Sequence, residues 1–134
     1  MTRFTTVCAF FLLLLAQSSL GDELVYIYGP DCGACMKWQQ DIGPIYAKTD
    51  EAKRLPLIKI TLQDWQTGKH PLANCKIGPV HGTPTFIQVF QCEELDRIVG
   101  YSNDELFWLA LGRMANRSAA ISAALAASGE GNSL

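Results

Sequence analysis

Cys32 and Cys35 stand on either side of Gly33 and Ala34, and this spacing gives the chain its clearest chemical capacity. Residues three apart on a helix lie one above the other, with α-carbons about 5–6 Å apart, inside the range a disulfide accepts. The pair can therefore close to a Cys32–Cys35 disulfide, open to a dithiol, and exchange with a disulfide on another molecule. At a helix N-terminus, Cys32 meets unpaired amide N–H groups and the positive end of the helix dipole, and both favour a thiolate. Cys35, one turn further in, should be less exposed. Attack then falls to Cys32 and resolution of the mixed disulfide to Cys35. Gly33 would let a partner chain come close, and Ala34 would keep the turn helical without bulk. The same spacing also serves a structural disulfide or half a zinc site. A zinc set would draw on Cys32, Cys35, His70 and Cys75, although the two halves are far apart and His70 to Cys75 is not a standard knuckle.

The flanking segments say how these sulfurs are positioned. Glu23–Tyr28 is β-branched and aromatic and reads as a strand that Gly29-Pro30 ends. Asp31 is a candidate cap for the helix carrying both cysteines. Gly43-Pro44 interrupts that helix, and Pro44 is suited to start a second helical stretch to about Lys53. Leu57–Leu62 is the next strand. A polar segment from Gln63 to Gly78 leaves room for one short helix. Thr85–Phe90 and Leu95–Val99 read as a hairpin turning over Gln91–Glu94. Ser102-Asn103-Asp104-Glu105 is a capping box, and Leu106, Leu109, Ala110 and Met114 continue one apolar helical face. A helix between two strands implies a parallel βαβ unit, and the hairpin adds antiparallel strands to the same sheet.

Length and composition frame one domain. The chain has 134 residues, 49% hydrophobic and 18% charged. Residues 1–21 have the layout of a secretory signal peptide: Arg3, an apolar run from Val7 to Ala16 too short to span a bilayer, then Ser18, Ser19 and Gly21. Residues 22–115 form the predicted domain, and 116–134 an Ala/Ser-rich tail expected to be frayed at its end. Removing Arg3 takes the formal charge from −2 to −3, and a mildly acidic domain without a basic stripe offers nucleic acid nothing to bind. Export places Cys32, Cys35, Cys75 and Cys92 where disulfides persist; Cys8 would leave with the leader.

A second motif enters at Val80-His81-Gly82-Thr83-Pro84-Thr85, just before a strand. Together with the Cys-x-x-Cys that opens a helix after a strand, it resembles the thioredoxin superfamily over about Leu24–Met114. Within it, Trp38, Ile42-Gly43-Pro44-Ile45-Tyr46 with Lys48-Thr49, and Gly100-Tyr101 followed by Phe107-Trp108 are most similar to the SoxS-type periplasmic thioredoxins of sulfur-oxidation gene clusters. The resemblance implies the thioredoxin fold, an α/β architecture with a central mixed sheet flanked by helices. It implies a cis Thr83–Pro84 bond facing Cys32, with Thr83, Pro84, Gly33 and Ala34 as substrate-binding residues. It implies a thiol–disulfide oxidoreductase without metal or organic cofactor, acting on a disulfide-bearing periplasmic protein, in that family a sulfur carrier, and fed by a membrane thiol transporter. A disulfide oxidase or isomerase, or a binding module with a structural or zinc-bound Cys-x-x-Cys, are the competing readings.

Three positions depart from the common thioredoxin pattern: Tyr26 stands where a buried acid is usual, Asp31 replaces Trp before the first cysteine, and Ala34 replaces Pro inside the motif. Without that acid, proton removal from Cys35 must use water or another group, and the charge of Asp31 opposes a Cys32 thiolate. Cys75 and Cys92 are expected to stay unpaired. Cys92 lies eight residues past Pro84, roughly 25 Å along a strand, whereas the crossover would hold Cys75 near the active-site end.

Overall fold

Leu24, Val25, Tyr26 and Ile27 are all wholly buried, so the strand that carries them is covered on both faces and lies inside the sheet. The structure, a computed structural model, describes residues 21–130; the predicted leader, apart from Gly21, and residues 131–134 fall outside the described residues. This strand, β1 (Asp22–Tyr28), is followed by α1 (Gly33–Asp41), α2 (Gly43–Tyr46), α3 (Asp50–Arg54), β2 (Leu57–Thr61) and α4 (Leu62–Thr67). Strands β3 (Thr85–Phe90) and β4 (Glu93–Val99) and helix α5 (Asp104–Glu130) complete the order. The sheet runs β2-β1-β3-β4, with β1 parallel to β2 and the other pairs antiparallel. It is the mixed sheet expected, in the thioredoxin fold.

Alternation along β1 and β3 divides the core in two. Leu24, Tyr26 and Phe86 face Trp38 of α1, Ile42 just after it, and Phe107, Leu111 and Met114 of α5. Val25, Ile27, Ile87 and Val89 face the other way, where Ile60, Val80, Trp65, Leu72 and Ile77 cover them. Each fully buried large side chain contributes roughly 1.5–3 kcal/mol, so the aromatic side, with Trp38 at its centre, is the heavier half.

Four boundaries differ from the sequence reading. Pro44 begins only the short α2, and Thr49 starts α3 afresh by accepting from the Ala52 amide at 3.2 Å. Asn103, not Ser102, caps α5, its side-chain oxygen accepting from the Leu106 amide at 2.9 Å. The β3–β4 turn is two residues, Gln91 and Cys92, both left-handed at φ 46° and 67°, as a tight hairpin requires. The largest difference is at the tail, where α5 continues without a break to Glu130. Ala and Ser hold a helix without large apolar periodicity, and Ser118 is drawn into the core by the Gln88 amide, which donates to its hydroxyl at 2.9 Å and to the Met114 carbonyl at 3.1 Å. Helix α5 and its packing thus run past the boundary expected at 115.

Candidate active site

Gly29-Pro30 ends β1, and Asp31 then takes a left-handed conformation at φ 53°, a region Asp tolerates better than most residues. That turn moves the helix start by one residue. Cys32, not Asp31, is the N-cap of α1, with extended backbone at φ −104° and ψ 97°. Its own sulfur accepts from the Cys35 amide at 3.1 Å, and its carbonyl accepts from the Met36 amide at 3.0 Å. The sulfur thus occupies the place a capping oxygen would take, against the orphan N–H groups of the first turn.

Cys32 and Cys35 are bonded to one another, with α-carbons 5.1 Å apart. Cys32 keeps 9% exposure and Cys35 4%, so the outer sulfur belongs to Cys32. Gly33 and Asp31 beside it are exposed, and a Cβ at Gly33 would meet nothing within 4 Å, which leaves that side open to a partner backbone. Beneath the pair, Tyr26 stacks on Phe86 at 4.9 Å and meets Trp38 at 4.5 Å. Its hydroxyl donates to the Cys35 carbonyl at 3.4 Å, and burial pushes its pKa above the ordinary phenol value. Tyr26 therefore takes the place of an acid without offering a ready base. A cleft of about 350 Å³ opens beside Cys35 between Tyr26, Tyr28, Met36 and Gln39.

The second motif reaches the same end of the sheet. Ile27 pairs with Thr85, so the residues after β1 and those before β3 are neighbours. A Cβ on Gly29 would lie 3.6 Å from the Thr83 hydroxyl oxygen, which places that side chain over the loop leading to Cys32. The Thr83–Pro84 peptide bond is cis, and the Gly100 amide donates to the Pro84 carbonyl at 2.8 Å.

No protein-family model matches the chain, and no curated protein does. Solved structures do. The periplasmic thioredoxin SoxS from Paracoccus pantotrophus, in its reduced form, is 29% identical with a TM-score of 0.63, over 71% of this chain and 96% of that one. The chain belongs to the thioredoxin superfamily. A thioredoxin from Malassezia sympodialis (18% identity, TM-score 0.50, 72% of this chain and 80% of that one) shares the fold. So does a mutant thioredoxin from Halobacterium salinarum (17% identity, TM-score 0.51, 75% of this chain and 78% of that one). With its Cys-x-x-Cys disulfide at a helix start, this thioredoxin-like chain is a thiol–disulfide oxidoreductase.

The other cysteines correct the sequence reading. Cys75 and Cys92 form a second disulfide, with α-carbons 4.6 Å apart. The crossover does not stay at the active-site end after α4. It runs down the sheet, where the Lys76 amide donates to the Cys92 carbonyl at 2.8 Å and the Glu94 amide to the Lys76 carbonyl at 3.1 Å. The zinc set is not assembled, because Cys75 is bonded to Cys92 and His70 stacks on Trp65 at 4.4 Å; no group of three potential metal ligands occurs among the described residues. His81 is exposed, at the outer edge of the segment that leads to Pro84. Sequence reading also missed the Glu94–Arg97 ion pair, whose signal, two opposite charges in a strand, is obscured by a bulge in β4.

Proposed function

We propose that this oxidoreductase works in the periplasm as a reductant of a partner protein's disulfide. In the dithiol form, the Cys32 thiolate attacks one partner sulfur and releases the other as a thiolate. Cys35 then attacks Cys32, releases the second partner sulfur, and closes the Cys32–Cys35 disulfide. The partner gains two electrons and two protons, and a membrane thiol transporter returns the same number to the cysteine pair. The observation that carries this reading is the Cys35 amide directed at the Cys32 sulfur at 3.1 Å. A donor aimed at that atom lowers the energy of its anion and so selects it as the nucleophile. Asp31, exposed beside it, opposes that anion and so disfavours the strongly oxidising behaviour that follows when a dithiol is over-stabilised. The likeness to SoxS supports a sulfur-carrier protein as the partner, its cysteine kept reactive by the exchange.

Insulin reduction by the dithiol form tests the activity, and titration of the Cys32–Cys35 couple against glutathione tests the direction. Turnover with a potential below that of glutathione is expected. A protein inert with both thiols titratable would leave the disulfide structural, and a potential as high as that of a strong oxidant would favour the oxidase reading.

A further inference from the structure

From 68 to 84 the chain runs without a regular helix or strand, yet it brings Thr83 to Gly29, in the loop between β1 and the disulfide, and ends on the cis Thr83–Pro84 bond. One isolated bridge, from Lys76 to Glu93, is its backbone tie to the sheet. Its apolar grip is Leu72, Ile77 and Val80 in the second core, and its covalent grip is Cys75–Cys92. Between these lies a polar fork. Arg97 donates from Nη1 to the Pro79 carbonyl at 2.9 Å and from Nη2 to the Gly78 carbonyl at 3.3 Å, while Nη2 also meets Glu94 Oε2 at 2.7 Å. Glu94 completes the ring by accepting from the Gly78 amide at 2.9 Å.

This ring depends on a bulge. Gln88 pairs with Asp96 and Val89 with Glu94, so Leu95 is the extra residue in β4. In a regular strand Glu94 and Arg97 would point to opposite faces; with Leu95 inserted, both stand on the face of Ile87 and Val89. Their side chains are 20% and 26% exposed, whereas both members of every other ion pair among the described residues are at least 34% exposed. Gly78 is fitted to the same ring, since a Cβ there would lie 3.1 Å from Arg97 Nη2 and 3.4 Å from Glu94 Oε2. Beyond Pro79, the polar ties on the segment are the Thr85 hydroxyl donating to the Gly82 carbonyl at 2.8 Å and the Gly100 amide on Pro84. The fork is thus the last long-range side-chain tether before Thr83 and Pro84.

We propose that Arg97, oriented by Glu94, is a positioning residue for disulfide exchange: it fixes the Gly78–Pro79 backbone and, through it, the Thr83–Pro84 edge on which an extended protein substrate is aligned. This rests on the exchange function proposed above. A polypeptide substrate needs that edge, and a small disulfide without a backbone does not.

The test compares insulin with the small aromatic disulfide dithiobis-nitrobenzoate, using the dithiol form of wild-type, Arg97→Ala and Arg97→Lys chains. Both substitutions are expected to raise KM for insulin about ten-fold, the size of losing one charge-assisted hydrogen bond, with kcat and the rate on the small disulfide unchanged. Lys cannot rescue, because one ammonium does not reproduce the fork. Equal losses on both substrates, no loss on either, or full rescue by Lys would overturn the proposal. Should Arg97→Ala fail to fold, Arg97→Lys, which keeps the charge but not the fork, must give the split by itself, and its absence is equally decisive. An inactive wild-type chain would instead overturn the exchange function itself.

Discussion

The Tyr26 hydroxyl points at the backbone carbonyl of Cys35, 3.4 Å away, and not at either sulfur. At that length the bond is weak, and a phenol raised by burial holds its proton throughout the working range. Tyr26 therefore supports the cysteine pair by packing. Tyr26→Phe is expected to change unfolding free energy by less than about 1 kcal/mol and to leave the pH profile of insulin reduction in place. A moved profile would make the hydroxyl a proton carrier. Tyr26→Ala, by contrast, empties the space between Trp38 and Phe86 and should lower stability by about 3–5 kcal/mol in denaturant titration.

The Cys75–Cys92 disulfide closes a loop with a sequence separation of 17. Closing a loop of that size removes unfolded-state entropy equivalent to about 3 kcal/mol. The Cys75→Ser/Cys92→Ser double variant should lose about that much in equilibrium unfolding at neutral pH. An unchanged midpoint would mean that Lys76 and the apolar contacts of Leu72, Ile77 and Val80 hold the crossover by themselves.

Glu94 makes stability depend on acid. Arg97 beside it, helped by the Gly78 amide, holds its carboxyl below the ordinary value of 4.5. Its contribution is complete above the unfolded value and is lost as pH falls through the lower folded value. Because the group is partly exposed, screening keeps the effect small. The gap in melting temperature between wild type and Glu94→Gln should therefore narrow on going from about pH 6 to about pH 3. A gap that stays constant would remove the ion pair from the stability of the fold.

Helix α5 is part of the domain beyond Ala115. Ser118 is buried and accepts from the Gln88 amide, whose other donation goes to Met114. Ser118→Ala should cost about 1 kcal/mol, as typical for one intramolecular hydrogen bond in a core. Truncation after Ala115 should cost more, because it also removes the turn that packs against the sheet. Truncation without effect on the melting temperature would restore the shorter domain.

What could be read from the sequence was whatever local chemistry decides. Gly29-Pro30 and Pro84 each mark a strand end through their own backbone limits, and the β-branched runs marked all four strands. The apolar face of α5 was visible as far as Met114 because large side chains repeat there. What escaped was decided by non-local geometry. Cys75 meets Cys92 only because the crossover travels the length of the sheet, which no spacing reveals. Glu94 meets Arg97 only because one bulged residue, Leu95, reverses the alternation. Cys32 took the capping place predicted for Asp31 because a left-handed residue turned the chain first. In the last two cases a single backbone irregularity outweighed the residue pattern.

The proposed exchange requires Cys32 to be the sulfur that attacks. Mass spectrometry of the Cys35→Ser and Cys32→Ser variants, each reduced and then mixed with a disulfide-bonded peptide, reads this directly. A stable mixed disulfide on Cys32 in the first variant and little adduct on Cys35 in the second is the result expected. Equal adducts in both, or none in either, would contradict it.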